Sequence, residues 1–279
     1  MAGVSGETSD LSARASRPQS LIITIYGAYS RPLGGWFSVS GLISMLDVLE
    51  IDESSVRGTL SRLKRRGILV ADKQGTSAGY ALGPSARRTF ELGDARVLER
   101  RTPPPNRGWV LAAFSIPETS RDLRYRLRSR LSRVGFSQVS GGLWIGPRQL
   151  EIDLRYVVTS LGVSEYVDIF TAEHSGFRVT GDAVDQWWDL DAIADLYEQF
   201  SSEFKSTAAY WKRAKDVDPT RAFADYTRVL TAWRPIPYLD PGLPAEFLPK
   251  GWPGTSATAL FYGLHDRLAK PAMEYARRA

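Results

Sequence analysis

Cysteine is absent from the 279 residues, and histidine occurs only twice, at His174 and His265. Without thiols there is no disulfide framework, no cysteine nucleophile and no thiolate cage for zinc or an iron–sulfur cluster. Two histidines are too few for a multi-histidine metal site. Long apolar runs are missing as well. The longest near the start, Leu21–Ile25, is far short of the roughly 20 residues that cross a bilayer. The opening residues also lack the apolar core of a secretory signal, so a cytoplasmic protein with no membrane contact is expected. No glycine loop of the dinucleotide or P-loop kind stands at a helix start. No acid/base pair shows catalytic spacing. No catalytic residue, metal or cofactor is assigned.

What is present is an ordinary globular balance, with 43% apolar and 24% charged residues. The formal net charge is +5, which suits nucleic-acid binding without requiring it. That charge is uneven: residues 1–101 carry net +4, residues 102–174 net +2 and residues 175–279 net −1. Residues 1–17, rich in Ser, Ala and Gly, are predicted to be a disordered tail. Three consecutive prolines, Pro103 to Pro105, mark a linker over 102–107 and a domain boundary. A weaker break falls at His174-Ser175-Gly176.

Residues 18–101 read as a winged helix-turn-helix. Pro18 to Tyr29 forms a first helix, and Ser40 is placed as the cap of a second. A turn over Val48 to Ile51 leads to a third helix. There Asp52 is the expected N-cap and Ile51 with Val56 a hydrophobic staple. Val56, Leu60 and Leu63 recur at helical spacing, and Gly67 is placed as a left-handed C-terminal cap. Two short strands, Ile68–Val70 and Tyr80–Leu82, flank a polar turn over Asp72 to Gly79. The third helix would enter a major groove and the wing would touch the backbone or minor groove. The assigned DNA contacts are Ser55, Arg57, Ser61, Arg62, Lys64 and Arg65 on the helix, with Lys73, Thr76 and Ser77 on the wing. Gly75 to Gly79 matches the hydrolase pattern G-x-S-x-G. That chemistry needs a strand–turn–helix, and a strand follows instead, so the motif is assigned to the wing tip.

Residues 108–175 follow the order β-α-β-β-α-β, the ferredoxin-like pattern. Its first helix is read over Thr119 to Val134, with Thr119 and Asp122 as a capping box and six arginines along it. Residues 176–279 read as mainly helical. A long helix is expected over Asp182 to Lys205, another over Thr220 to Trp233, a Pro-rich extended run over Arg234 to Pro253, and a last helix over Ser256 to Ala276. The whole is an α+β multidomain chain.

Several stretches, in order, resemble the PaaX family of transcriptional repressors. They are Arg17 to Ser20, Ser55 to Leu63, Gly135-Phe136, Gly142 to Pro147, Trp188 to Leu190, Asp240 to Pro244 and Leu248 to Gly254. The resemblance implies a winged helix, a central domain similar to a CRISPR-associated nuclease, and a family-specific C-terminal domain. It also implies a homodimer on a palindromic operator, released by an aryl-CoA thioester such as phenylacetyl-CoA. Dimerisation is assigned to the middle domain, with the C-terminal domain as the alternative. The nuclease likeness keeps metal-dependent cleavage as a second reading. It is weakened because Ser115 stands where those nucleases hold an aspartate, and Glu118 lies past Pro117. Five of the eight tryptophans fall after residue 175, which suits a pocket for an aromatic acyl group. The phosphates of CoA call for cations. The effector-binding candidates are Arg124, Arg128, Trp188, Arg221, Arg228, Arg234 and Trp252.

Overall fold

Pro18 sets φ for the first turn of α1 (Pro18–Ile25) and has no amide to leave unbonded there. The single helix expected over 18–29 is a composite. A π-turn carries Tyr26–Ser30, and a 3-10 turn over Arg31–Leu33 ends at Gly34 with φ of 91°. Pro32 contributes to the loosening by removing an amide and with it one i to i−4 hydrogen bond, while Arg31 before it keeps right-handed geometry at φ −64°, ψ −46°. The computed structural model describes residues 16–98 and 108–279. Most of the expected tail, and the whole linker over 102–107, lie outside the described residues.

After α1 come β1 (Trp36–Ser38), α2 (Val39–Asp47), α3 (Glu53–Arg65), β2 (Leu69–Gln74), β3 (Ser77–Leu82) and α4 (Pro84–Leu98). β1 escaped the sequence reading, being only three residues long. It completes an antiparallel sheet of order β1-β3-β2. Ser38 Oγ, not Ser40, accepts from the Gly41 amide at 2.9 Å and caps α2. The cap precedes the helix, and Ser40 already lies inside it.

The second run of elements is β4 (Trp109–Phe114), α5 (Arg121–Arg133), β5 (Ser137–Ser140), β6 (Leu143–Pro147), α6 (Glu151–Leu161) and β7 (Val167–Ala172). All pairings are antiparallel, in the order β5-β6-β4-β7. Period-2 alternation sends Val110 and Ala112 to one face, where they meet Leu127 and Leu131 of α5 and Leu154 and Val158 of α6. The capping box expected at Thr119 and Asp122 does not form. Glu118–Ser120 is a 3-10 turn, and α5 starts at Arg121 without a side-chain cap. Pro117 sets that tight entry.

The remaining helices are α7 (Thr180–Trp187), α8 (Leu190–Arg213), α9 (Pro219–Trp233), a single turn α10 (Ile236–Leu239) and α11 (Pro253–Arg278). The helix expected over Asp182 to Lys205 is broken at Trp188, whose backbone is extended. Asp189 then caps the restart, accepting from the Ala192 amide at 3.0 Å. The run expected to be extended from Arg234 contains the α10 turn.

The chain condenses into two compact units. One holds the described residues of Met1–Arg100 with Leu196–Arg234 and Pro253–Ala279. The other holds the described residues of Arg101–Asp195 with Pro235–Trp252. The segment expected as a third domain, 176–279, is therefore shared between them. In the first unit α9 packs on α1 on one side and on α11 on the other. The Tyr29 hydroxyl and Thr227 share a buried hydrogen bond of 2.9 Å, and Phe223 lies between the Tyr29 and Tyr275 rings. Trp233 stacks on Phe261 with centroids 4.4 Å apart. In the second unit, Trp109 on the other sheet face is covered by Trp187, Trp188 and Phe247.

Candidate nucleic-acid interface

Helix α3 is fixed at both ends by local chemistry. Asp52 Oδ1 accepts from the Ser55 amide at 2.9 Å and from the Ser54 hydroxyl at 2.6 Å. Its other oxygen accepts from the Ser55 hydroxyl at 2.6 Å. These bonds, the serine hydroxyls first, hold the Asp52 carboxyl well below the usual carboxylate range. At the far end the Gly67 amide donates to the Lys64 carbonyl and the Ile68 amide to that of Leu63, with Gly67 at φ of 68°. This is the reciprocal pattern of a left-handed helix stop. Val56, Thr59, Leu60 and Leu63 are buried, so the opposite face must point to solvent.

The nine residues assigned to DNA do not share one condition. Ser61, Lys64 and Arg65 are exposed, and Lys64 and Arg65 make no ion pair with any described residue. Arg57 is exposed but held by Glu53, Nε to Oε1 at 2.7 Å. Arg62 turns back on its own helix and donates to Thr59 Oγ1 at 2.7 Å. Ser55 is committed to the Asp52 cap. Lys73, Thr76 and Ser77 are exposed on the hairpin. Its loop is only Gly75-Thr76, since Gln74 pairs with Ser77. Gly75, at φ of 59°, takes the first loop position, where glycine fits the hairpin twist. Arg66, which the sequence reading passed over, is exposed directly after α3 and adds to the cationic end. Positive charge there also suits the negative end of the helix dipole.

Ser77 of the G-x-S-x-G motif lies in an extended strand, not on an elbow before a helix. Gly79 is a strand glycine for a packing reason. A β-carbon there would sit 2.3 Å from both the Phe37 carbonyl and the Trp36 ring.

One glycine of α3 has no such reason. Gly58 lies inside the helix on the solvent side, where a glycine costs about 0.5–1 kcal/mol relative to alanine. Among the described residues, its own helix backbone aside, a β-carbon built on it would meet Arg62 Nη1, at 3.7 Å.

The turn before α3 is held from the C-terminal part of the same unit. Glu50 ends α2 with φ of 64°, the one described non-glycine residue at positive φ. Its amide donates to the Asp47 carbonyl and the Ile51 amide to that of Leu46. Arg228 of α9 reaches this turn, donating to the Leu49 carbonyl at 3.4 Å and lying 3.8 Å from Glu50.

The seven effector candidates are divided. Arg221, Arg228 and Arg234 belong to the first unit, and Arg124, Arg128, Trp188 and Trp252 to the second. Most are already engaged. Arg124 holds the Ile116 carbonyl at 2.7 Å and Glu118 at 2.8 Å. Arg128 donates to the Gly141 carbonyl at 3.0 Å. Arg221 lies 3.6 Å over the Tyr210 ring. Trp188 is 7% exposed, stacks on Trp109, and donates from Nε1 to the Gly135 carbonyl at 3.0 Å.

A cavity of about 480 Å³ opens beside the ends of β4, β6 and β7. Ser115, Ser140, Glu165, Tyr166 and Asp168 line it, and no cation does. Two carboxylates make it a poor seat for the phosphates of a CoA. Glu118, paired with Arg124, is 76% exposed and does not line it. Among the described residues no cluster of three or more His, Asp or Glu side chains has a geometry that could hold a metal ion.

Three family models span nearly the whole chain in order. The PaaX-like protein model matches residues 17–86. The PaaX protein central Cas2-like domain matches 102–184, and the PaaX-like protein C-terminal domain 188–278. The chain belongs to the PaaX family. The match to the transcriptional repressor PaaX of Escherichia coli K12 is 26% identical over 263 residues, covering 92% of this chain and 82% of that one. The uncharacterized protein Rv0674 from Mycobacterium tuberculosis has the same fold, with a TM-score of 0.59 and 23% identity. That likeness covers 95% of this chain and 99% of the other. The stretch matched by the family's C-terminal model is divided between the two compact units, with 196–234 and 253–278 beside the helices that carry the basic face.

Proposed function

We propose that this member of the PaaX family is a DNA-binding transcriptional repressor whose reading element is α3. The name of the Escherichia coli relative supports a regulator rather than an enzyme. The observation that carries the reading is the cationic face of α3, stiffened by a cap at each end and backed by a buried stripe. In this reading α1, α2 and α3 with the β2–β3 hairpin act as a winged helix-turn-helix. The β5-β6-β4-β7 sheet with α5 and α6 acts as the ferredoxin-like body. Asp52 takes the Ser55 amide and sets a negative charge at the start of α3, so phosphate contact falls to the cations further along. Lys64 and Arg65 are ready to make it. Arg57 and Arg62 first exchange Glu53 and Thr59 for DNA, and Lys73 with Thr76 and Ser77 supply the wing contacts.

The repressor is proposed to act as a homodimer on a near-palindromic operator of an aromatic-acid operon, in the cytoplasm. An aryl-CoA thioester would bind the DNA-incompetent arrangement more tightly and shift the population toward it. The test begins with duplexes selected by the wild-type protein from a randomised pool. Lys64→Ala and Arg65→Ala should each weaken binding and lower the salt slope by about one. Selected sites should show two-fold symmetry. Unchanged binding by both variants would remove α3 from the interface. A screen of acyl-CoA thioesters tests the effector. A ligand at about 100 times its Kd adds about 2.7 kcal/mol of stability, so a flat melting response across the panel would reject that class.

A further inference from the structure

Gly58 stands in the interior of α3, one turn before Arg62 and beside Arg57. Residues 54, 58, 61 and 65 share a face by their spacing, so Gly58 lies in line with Ser61 and Arg65. Its backbone is ordinary right-handed helix, since it is absent from the positive-φ glycines. The fold has room for a side chain: among the described residues, the helix's own backbone aside, an added β-carbon has one neighbour within 4 Å, Arg62 Nη1 at 3.7 Å, which is ordinary contact. Among the described residues neither conformation nor packing calls for glycine. Yet glycine is the poorest helix former after proline. The remaining use of a missing side chain is to let another molecule come close to the backbone.

We infer that Gly58 is the point of closest approach between α3 and bound duplex DNA, a surface gap that seats the helix against a sugar–phosphate or base edge. This rests on the proposal that α3 reads DNA. A methyl group there lifts the helix away from the groove. Every contact from Arg57, Ser61, Lys64 and Arg65 lengthens together, although none of those residues has changed. Gly58 is thus a positioning residue that acts through its neighbours.

The test compares Gly58→Ala and Gly58→Ser with Gly263→Ala. Gly263 is an exposed helix-interior glycine of α11, and among the described residues nothing outside its own helix backbone comes within 4 Å of an added β-carbon. Melting is followed by circular dichroism, and binding by titration of a duplex selected by the wild-type protein. Gly58→Ala and Gly263→Ala should both melt slightly higher than wild type, by about 1–3 °C. Only the Gly58 variants should bind more weakly, by about tenfold or more, the size of a lost base contact. A Gly58→Ala protein that binds within about twofold of wild type overturns the inference. If Arg65→Ala still weakens binding in that case, the reading of α3 survives. If both Gly58 variants melt below wild type, the glycine serves the fold and the inference is again overturned. If neither Lys64→Ala nor Arg65→Ala affects binding, or no duplex is enriched, the reading of α3 fails and this inference falls with it.

Discussion

Arg228 of α9 donates to the backbone carbonyl of Leu49, one residue before the left-handed Glu50 that turns α2 into α3. Residues 179 apart in sequence thus meet at the joint that aims the basic helix. The bond is long, and the Glu50 side chain is 88% exposed, so the contact guides more than it stabilises. Arg228→Met, which keeps the stem, should lower stability by less than about 1 kcal/mol. A loss well beyond that in urea unfolding would show the joint depends on this cation.

Glu50 itself pays the conformational cost of a side chain at positive φ, about 1 kcal/mol. Glu50→Ala removes only the pairing with Arg228, whereas Glu50→Gly also relieves the backbone. The glycine variant should be more stable than the alanine variant by about 1 kcal/mol. Equal stabilities would mean that the turn is not strained.

Asp52 links the α3 cap to acidity. Its carboxyl titrates below the unfolded value, because two serine hydroxyls and an amide hold the charged form. A lowered folded-state pKa gives stability that is present above the unfolded value of about 4 and is lost as pH falls below it. Asp52→Asn should therefore be less stable than wild type at neutral pH and show a flatter stability profile in acid. Parallel profiles for the two proteins between neutral pH and acid would remove the cap from the acid response.

Glu53 holds Arg57 in an exposed i,i+4 pair and places a negative charge near the proposed path of the phosphates. Glu53→Gln frees the arginine and removes that repulsion. DNA binding should tighten, most visibly at low salt, where charge is least screened. Weaker binding by the glutamine variant would mean that Glu53 orients Arg57 for contact.

The Trp188 nitrogen donates to the Gly135 carbonyl and its ring stacks on Trp109. Trp188→Phe leaves a buried carbonyl unpaired and a gap beside the stack. Stability should fall by about 2–4 kcal/mol with no ligand present. A variant as stable as wild type would mean that neither the bond nor the stack holds the fold.

Much of α3 and its surroundings was legible because the determinants are local. Asp52, the Val56–Leu60–Leu63 stripe and Gly67 act within one or two helical turns, so spacing alone reveals them. The misplaced features are those settled by a neighbour. Ser38 caps α2 because β1 ends there, and β1 exists only through pairing with β3. The states of Arg57 and Arg62 were hidden for a related reason. Helical spacing puts Glu53 and Thr59 within their reach, but only side-chain geometry shows that those partners are taken.

By itself the sequence determined the family, the α+β composition, the basic helix and the absence of thiol chemistry. Those follow from residue identity and short-range periodicity. The tertiary structure decided where residues 176–279 belong. Helix α8 begins in one unit and continues in the other, while 235–252 returns to the unit of Trp109. No local pattern announces that division. It depends on which apolar faces meet: Thr227 and Phe223 with Tyr29 in one unit, and Trp187, Trp188 and Phe247 with Trp109 in the other. Burial of apolar area is non-directional, so it selects partners by shape across the whole chain.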